Sequence, residues 1–219
     1  GGVDSLSLLT INGFASLEVV SGRVARPFAA DRDGINIGEA AAVFLMTRVP
    51  MPGFPEGEPI GLLGYGASSD AWHMSSPRPD GEGAMQAIQA ALQGAGLSAG
   101  DLGWINLHGT GTTQNDAMES LAVVQTLGVD VPGTSTKPHT GHTLGAAGAL
   151  EAAIVWGFVS RQLNPSGALP AQGNERDPSL APLRLTRPGD CWPSGSRLGL
   201  STSFAFGGNN MALIIGDTA

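Results

Sequence analysis

Three of the four histidines and the single lysine of this chain fall in two short segments. The first, residues 105–112 (INLHGTGT), reads as an apolar strand that ends at His108 and runs into a glycine-spaced pair of hydroxyls. Ligands gather at strand ends in α/β sheets, so His108 can offer an imidazole N–H there, while Thr110 and Thr112, two apart, hold an extended polar ligand. A satisfied core histidine in a turn is the plainer alternative. The second segment, residues 135–142 (STKPHTGH), leads into a helix of small residues at 144–151 (LGAAGALE). An imidazole at a helix amino terminus sits at the positive end of the macrodipole, which keeps the ring of His142 neutral and able to donate one hydrogen bond. The one acid of that helix, Glu151, is a partner for Lys137 if both are buried, because either alone would be an uncompensated charge. A solvated lysine on a loop fits the spacing equally well. His139 and His142 are three apart, a chelating spacing, but no neighbouring Cys, Asp or Glu supplies a third ligand, so no metal is expected.

A third segment, residues 201–210 (STSFAFGGNN), sets two aromatics beside a double glycine. Glycine lets the backbone swing, so Phe206, with Gly207 as its hinge, could open and close an apolar cavity, and Phe204 reads as core. The only cysteine, Cys191, lies in a turn-like Asp-Cys-Trp-Pro run without an activating neighbour and reads as a structural thiol.

These groups need rigid elements to carry them. Apolar runs predict strands at 59–67, 104–107, 134–136, 198–202 and 211–215, and a strand-forming stretch at 35–46 that closes at the proline-rich segment 50–59. Helices are predicted at 83–92, ending at Gly94 and Gly96; at 116–127, with acids in its first turn; and at 144–158. Strands alternating with helices indicate an α/β layered fold. With 219 residues, 42% apolar and 14% charged, the composition is that of a globular protein and not of a disordered or fibrous one. A net charge of −8 with scattered basic residues argues against nucleic acid. No apolar run approaches the ~18 to 20 residues of a membrane span, the start is not an export signal, and one cysteine suits a reducing compartment, so a cytoplasmic protein is expected.

In this order, the three segments resemble the β-ketoacyl synthase family of fatty-acid and polyketide assembly. His108-Gly-Thr-Gly-Thr is similar to the family's first histidine motif, residues 137–148 (KPHTGHTLGAAG) to its lysine and second histidine motif, and residues 203–210 to its gating loop. Residues 32–34 with 38–39, and 68–77 (SSDAWHMSSP), also match. The resemblance covers the chain but only the latter part of the family's length, and the family's acyl-accepting cysteine would precede Gly1. It implies a thiolase-like layered fold, αβαβα in the intact family. Residues 1–56 would be a remnant of the N-terminal half-domain and 57–219 the C-terminal half. The implied activity is that of an acyltransferase, a 3-oxoacyl-[acyl-carrier-protein] synthase performing decarboxylative Claisen condensation of malonyl and acyl thioesters. His108 and His142 would face the malonyl thioester oxygen, Lys137 would act electrostatically with Glu151 in support, Thr110 and Thr112 would hold the pantetheine arm, and Phe206 and Gly207 would contact substrate, Phe206 gating the acyl pocket. No cofactor is implied beyond the phosphopantetheine arm of an acyl carrier protein.

Gly111 stands where fatty-acid synthases commonly carry serine, Ala205 where the gate usually has glycine, and Asn209 where threonine is usual. The resemblance further implies a homodimer for the intact protein and an inactive isolated chain; on charge alone, an acidic carrier would dock at Arg23, Arg26 or Arg78. Removing one half-domain is expected to expose an apolar face near residues 145–153 and to promote self-association. A non-catalytic partner subunit of the chain-length-factor type is the alternative; a thiolase, which needs a cysteine in the glycine-rich loop at 206–208, fits less well.

Overall fold

In a computed structural model, which describes residues 1–48 and 60–217, the chain builds a five-stranded sheet with helices on both faces and a separate two-stranded ribbon. The ribbon pairs β1 (Gly2–Asp4) antiparallel to β2 (Ala40–Ala42), with α1 (Leu8–Ser16) between them in sequence. The sheet contains β3 (Ile60–Ser69), β4 (Trp104–Asn106), β5 (Gly133–Thr134), β6 (Leu198–Ala205) and β7 (Asn209–Asp217), in the order β3-β7-β6-β4-β5. The short β4 lies parallel to β5 and β6, whereas β6-β7 and β7-β3 are antiparallel.

Side chains alternate across a strand, and the alternation here sorts residues into two cores. Ile105 and Ile214 pack with Ile88 and Val123 from α2 (Glu82–Ala95) and α3 (Thr113–Leu127). Their neighbours Trp104 and Ile215 pack on the other face with Val155 and Val159 of α5 (Ala147–Val159). All three residues of β4 are buried, as expected for a parallel strand covered on both sides. Two glycines set how closely α2 approaches: a Cβ on Gly64 or Gly66 would fall 2.2 Å from the carbonyl oxygen of Ala91 or 2.0 Å from that of Ala87. The helix stops at Gly96, whose left-handed backbone (φ 68°) turns its N–H back onto the carbonyls of Leu92 and Gln93.

The elements depart from the sequence expectation at their ends. Gly94 sits inside α2, and α3 starts three residues earlier than its acids suggest, directly after Thr112. The strand expected at 134–136 stops at Thr134, because Ser135 and Thr136 turn their hydroxyls to the carbonyl of Gly109 and the side-chain oxygen of Asn106. Within 35–46 only β2 is regular. Residues 36–38 instead exchange backbone hydrogen bonds with His142, whose N–H donates to Asn36 (2.6 Å) and whose carbonyl accepts from Gly38 (3.0 Å). The single helix expected at 144–158 is divided into a 3-10 turn, Leu144–Ala146, and α5.

The face at residues 145–153 is partly covered: Ala146, Ala147, Glu151 and Ala152 are buried, Gly145 is exposed and residues 148–150 and 153 are half-buried, with the β1-β2 ribbon against it, a Cβ on Gly2 falling 2.9 Å from the oxygen of Gly145. Exposed large apolar side chains include Val3, Leu8, Leu9, Val43 and Leu45, and Trp156 on α5 itself. The boundary expected between residues 56 and 57 lies outside the described residues. Among the described residues, no helix is long and apolar enough to cross a membrane.

Candidate active site

His108 lies two residues beyond the carboxyl end of β4, and its backbone is pinned before its side chain is considered. Its N–H donates to Glu119 Oε1 (2.7 Å) and to Thr202 Oγ1 (3.1 Å), and the next N–H, of Gly109, donates to Glu119 Oε2 (2.7 Å). One turn earlier on α3, Asp116 accepts from the N–H of Gly111 (3.2 Å) and, through its other oxygen, from that of Phe28 (2.7 Å). Two wholly buried carboxylates thus gather the amides of His108, Gly109 and Gly111 in this turn. Burial pushes Glu119 up to about 7, with the nearby Asp116 charge adding to it, and pushes Asp116 up to about 6. From sequence these acids read only as favourable first-turn residues. The missed signal is their spacing of three along α3, which points both back at one turn.

The imidazole of His108 meets that of His142 with ring centroids 5.3 Å apart and planes at 84°. His142 arrives from the loop between α4 (Lys137–Thr140) and the Leu144–Ala146 turn. Behind His108, the Lys137 ammonium lies 2.5 Å from its carbonyl oxygen, 3.3 Å from its Nδ1, and in an ion pair with Glu151, all three side chains being buried. Of the two readings open for Lys137, the buried pair is therefore the one observed. An ammonium can only donate, so Nδ1 of His108 is the acceptor and its ring proton sits on Nε2. The N–H of Leu144 donates to Nδ1 of His142 (3.4 Å), which assigns the same tautomer there. Leu144 reaches this position with a left-handed backbone (φ 49°), a strained conformation for a non-glycine residue.

Neither ring takes up a second proton readily. Burial first, then the charge of Lys137, lowers His142 to about 3; burial, Lys137 and His142 together hold His108 well below the usual imidazole range. The neutral state expected of His142 thus has a different origin from the helix dipole. The dipole of α5 begins at Ala147, beyond the 3-10 turn, and acts over only about one turn.

Both rings open onto a cavity of about 690 Å³, also lined by Thr110, Thr112, Phe14, Phe206 and the segment 75–77. The hydroxyls of Thr110 and Thr112 are 2.9 Å apart, so they present one polar edge. Phe206 is half exposed and stacks on Phe14 of α1 at 5.8 Å. Gly207 itself does not line the cavity. With φ 81° it forms the bend, and its N–H donates to the carbonyl of Met74 (2.7 Å). Lys137 and Glu151 stay behind the wall and reach the cavity only through His108. His139 is exposed, and Cys191 is exposed away from the lining residues. The three arginines considered for docking are already paired: Arg23 with Asp31 and Asp33, Arg26 with Asp31, and Arg78 with Asp80 and Glu82.

Comparison with known proteins places this geometry. Residues 61–167 match the family described as beta-ketoacyl synthase, C-terminal domain. The chain is 34% identical to 3-oxoacyl-[acyl-carrier-protein] synthase 2 of Synechocystis sp. over 97% of its own length and 53% of that protein's. To the Rhizobium meliloti protein of the same name it is 35% identical, over 98% and 52%. Among solved structures, a ketosynthase in complex with its chain length factor from Xenorhabdus doucetiae superposes with a TM-score of 0.88 at 48% identity, covering all of this chain and 52% of the other. The ishigamide ketosynthase/chain length factor superposes with 0.80 at 29%, covering all of this chain and 53% of the other. The chain spans about half the length of these relatives, and its fold is part of the thiolase-like fold of ketosynthases. Together these matches support a C-terminal portion of a β-ketoacyl synthase.

Proposed function

We propose that this chain supplies the histidine-bearing part of a 3-oxoacyl-[acyl-carrier-protein] synthase that condenses malonyl and acyl thioesters. The observation that carries the reading is the meeting of two neutral imidazoles, each with its proton on Nε2, at one cavity. A malonyl thioester oxygen seated between them would accept from both. As the carboxylate carbon–carbon bond breaks and carbon dioxide leaves, the electron pair enters an enolate and negative charge grows on that oxygen. Donors aligned in advance are worth ~3 kcal/mol each at this step. Neutral donors also avoid pairing a full positive charge with the malonyl carboxylate, which would stabilise the ground state as much as the transition state. The enolate carbon then attacks the acyl thioester, whose carbon–sulfur bond breaks to release the thiolate.

That thiol is not Cys191, which lies outside the cavity lining, so the acyl group would rest on a cysteine of another segment. Thr110 and Thr112 would receive the pantetheine arm of an acyl carrier protein. Phe206, turning about Gly207, would gate the acyl end. Residues 57–219 would form the C-terminal half-domain and 1–56 a remnant of the other half, the intact protein working as a dimer in the cytoplasm. A second reading, a non-catalytic partner subunit, is favoured only by the chain length factors present in the two superposed assemblies. The retained His108, His142 and Lys137 support the enzyme.

The test is to join the chain to a cysteine-bearing segment completing the relatives' length, and to follow carbon dioxide release and condensation. His108→Ala and His142→Ala should each lower the rate about 100-fold, and the chain alone should not condense. Condensation by the isolated chain, or full activity without either histidine, would overturn the proposal.

A further inference from the structure

Phe28 is wholly buried, yet its backbone is left-handed (φ 64°), which for a bulky residue is an outlier that persists only where the surroundings impose it. Three contacts impose it. Its N–H donates to Asp116 Oδ2 (2.7 Å), its carbonyl accepts from the N–H of Asp177 (2.7 Å), and its ring packs beneath Gly109, where a Cβ would come within 2.9 Å of Phe28 Cε2. The segment after Phe28 is fastened too. Arg32 pairs with Asp177 at 2.8 Å, both side chains largely buried, and the N–H of Gly34 donates to the carbonyl of Gly111 (3.0 Å). Pro27 is held from the same side, its carbonyl accepting from Asn174 Nδ2 (3.0 Å). Gln172 accepts from the N–H of Ser135 (3.0 Å), whose hydroxyl donates to the carbonyl of Gly109 (2.6 Å).

We propose that Phe28 is a positioning residue for the 108–111 turn: its ring supports Gly109, and its N–H fixes Asp116, which in turn holds Gly111, so that His108 and Thr110 face the cavity in one arrangement. Residues 27–34 and 172–177, distant in sequence from both histidines, thereby brace the 108–111 turn from behind, only Asp33 and Gly34 among them lining the cavity. A role in catalysis rests on the function proposed above; the structural claim is tested without substrate.

The experiment is amide hydrogen exchange on the full chain. Phe28→Gly keeps the N–H and accommodates the left-handed backbone but removes the ring, and Phe28→Leu keeps an apolar filler without the reach to Gly109. Ile88→Ala is the control, a cavity in the same core cluster on α2. Each rate is compared with that set by the variant's own global stability. We expect the amides of Gly109 and Gly111 to exchange at least tenfold faster than global unfolding accounts for in both Phe28 variants. In Ile88→Ala they should follow global stability. Should Phe28→Gly not fold, Phe28→Leu decides alone. Wild-type protection of both glycines in the Phe28 variants would overturn the proposal, and so would equal loosening in Ile88→Ala. Neither outcome depends on whether the assembled protein condenses thioesters.

Discussion

Replacing Glu119 by glutamine changes the site by one oxygen, and its consequence can be worked out group by group. Oε1 accepts from the N–H of His108 and from Thr202, and Oε2 from the N–H of Gly109. A carboxamide has one acceptor oxygen, so its NH2 must face one of the two backbone N–H groups. Leaving that buried donor unpaired costs about 1 to 3 kcal/mol. The wild-type carboxyl is raised from 4.5 to about 7, which corresponds to about 3 kcal/mol. Because the folded-state value lies above the unfolded one, this contribution is fully present below about pH 4.5 and is lost as the pH rises through 7. Glutamine does not titrate. Urea unfolding of both proteins from pH 4.5 to 8 should therefore show the wild type losing about 3 kcal/mol relative to Glu119→Gln across that interval. Asp116, raised in the same sense, titrates in both proteins and largely cancels. Parallel stability curves would refute the reasoning, since they would mean that Glu119 is charged at all these pH values or does not hold the turn.

Lys137→Met should destabilise the chain by about 3 to 5 kcal/mol, because it strands the Glu151 carboxylate, and adding Glu151→Leu should recover most of that loss; chemical denaturation of the single and double variants checks it. Gly66→Ala should cost about 1 to 3 kcal/mol or more, since the new Cβ lands 2.0 Å from the Ala87 oxygen and forces α2 off the sheet, which a fall in the thermal midpoint would report. Phe206→Ala should leave stability within about 1 kcal/mol, the ring being half exposed, while the completed enzyme's preference shifts toward longer acyl groups in competition assays.

Much of the site is legible in the sequence because its chemistry is local. A strand that ends in His-Gly-Thr-Gly-Thr places a histidine and two hydroxyls at a sheet's carboxyl end whatever surrounds it. The Lys137–Glu151 pair is one of two readings that the sequence leaves open, and burial of both side chains decides it. What the sequence conceals depends on non-local partners. Asp116 and Glu119 become anchors only because the amides of residues 28, 108, 109 and 111 converge on them. Residues 35–46 have strand-forming side chains, but 36–38 are drawn to the loop of His142, and tertiary contact overrides propensity. Phe28 carries no local mark of its left-handed backbone. The partial cover over residues 145–153 was not legible because the β1-β2 ribbon, three residues a side, is too short to show in any periodicity.

The most direct measurement is nitrogen-15 NMR of the chain labelled at histidine, titrated from pH 5 to 8. Rings 108 and 142 should stay neutral throughout, with the proton on Nε2 and a cross-relaxation contact between them. A ring that takes up a second proton near pH 6.5, or that carries its proton on Nδ1, would contradict the account.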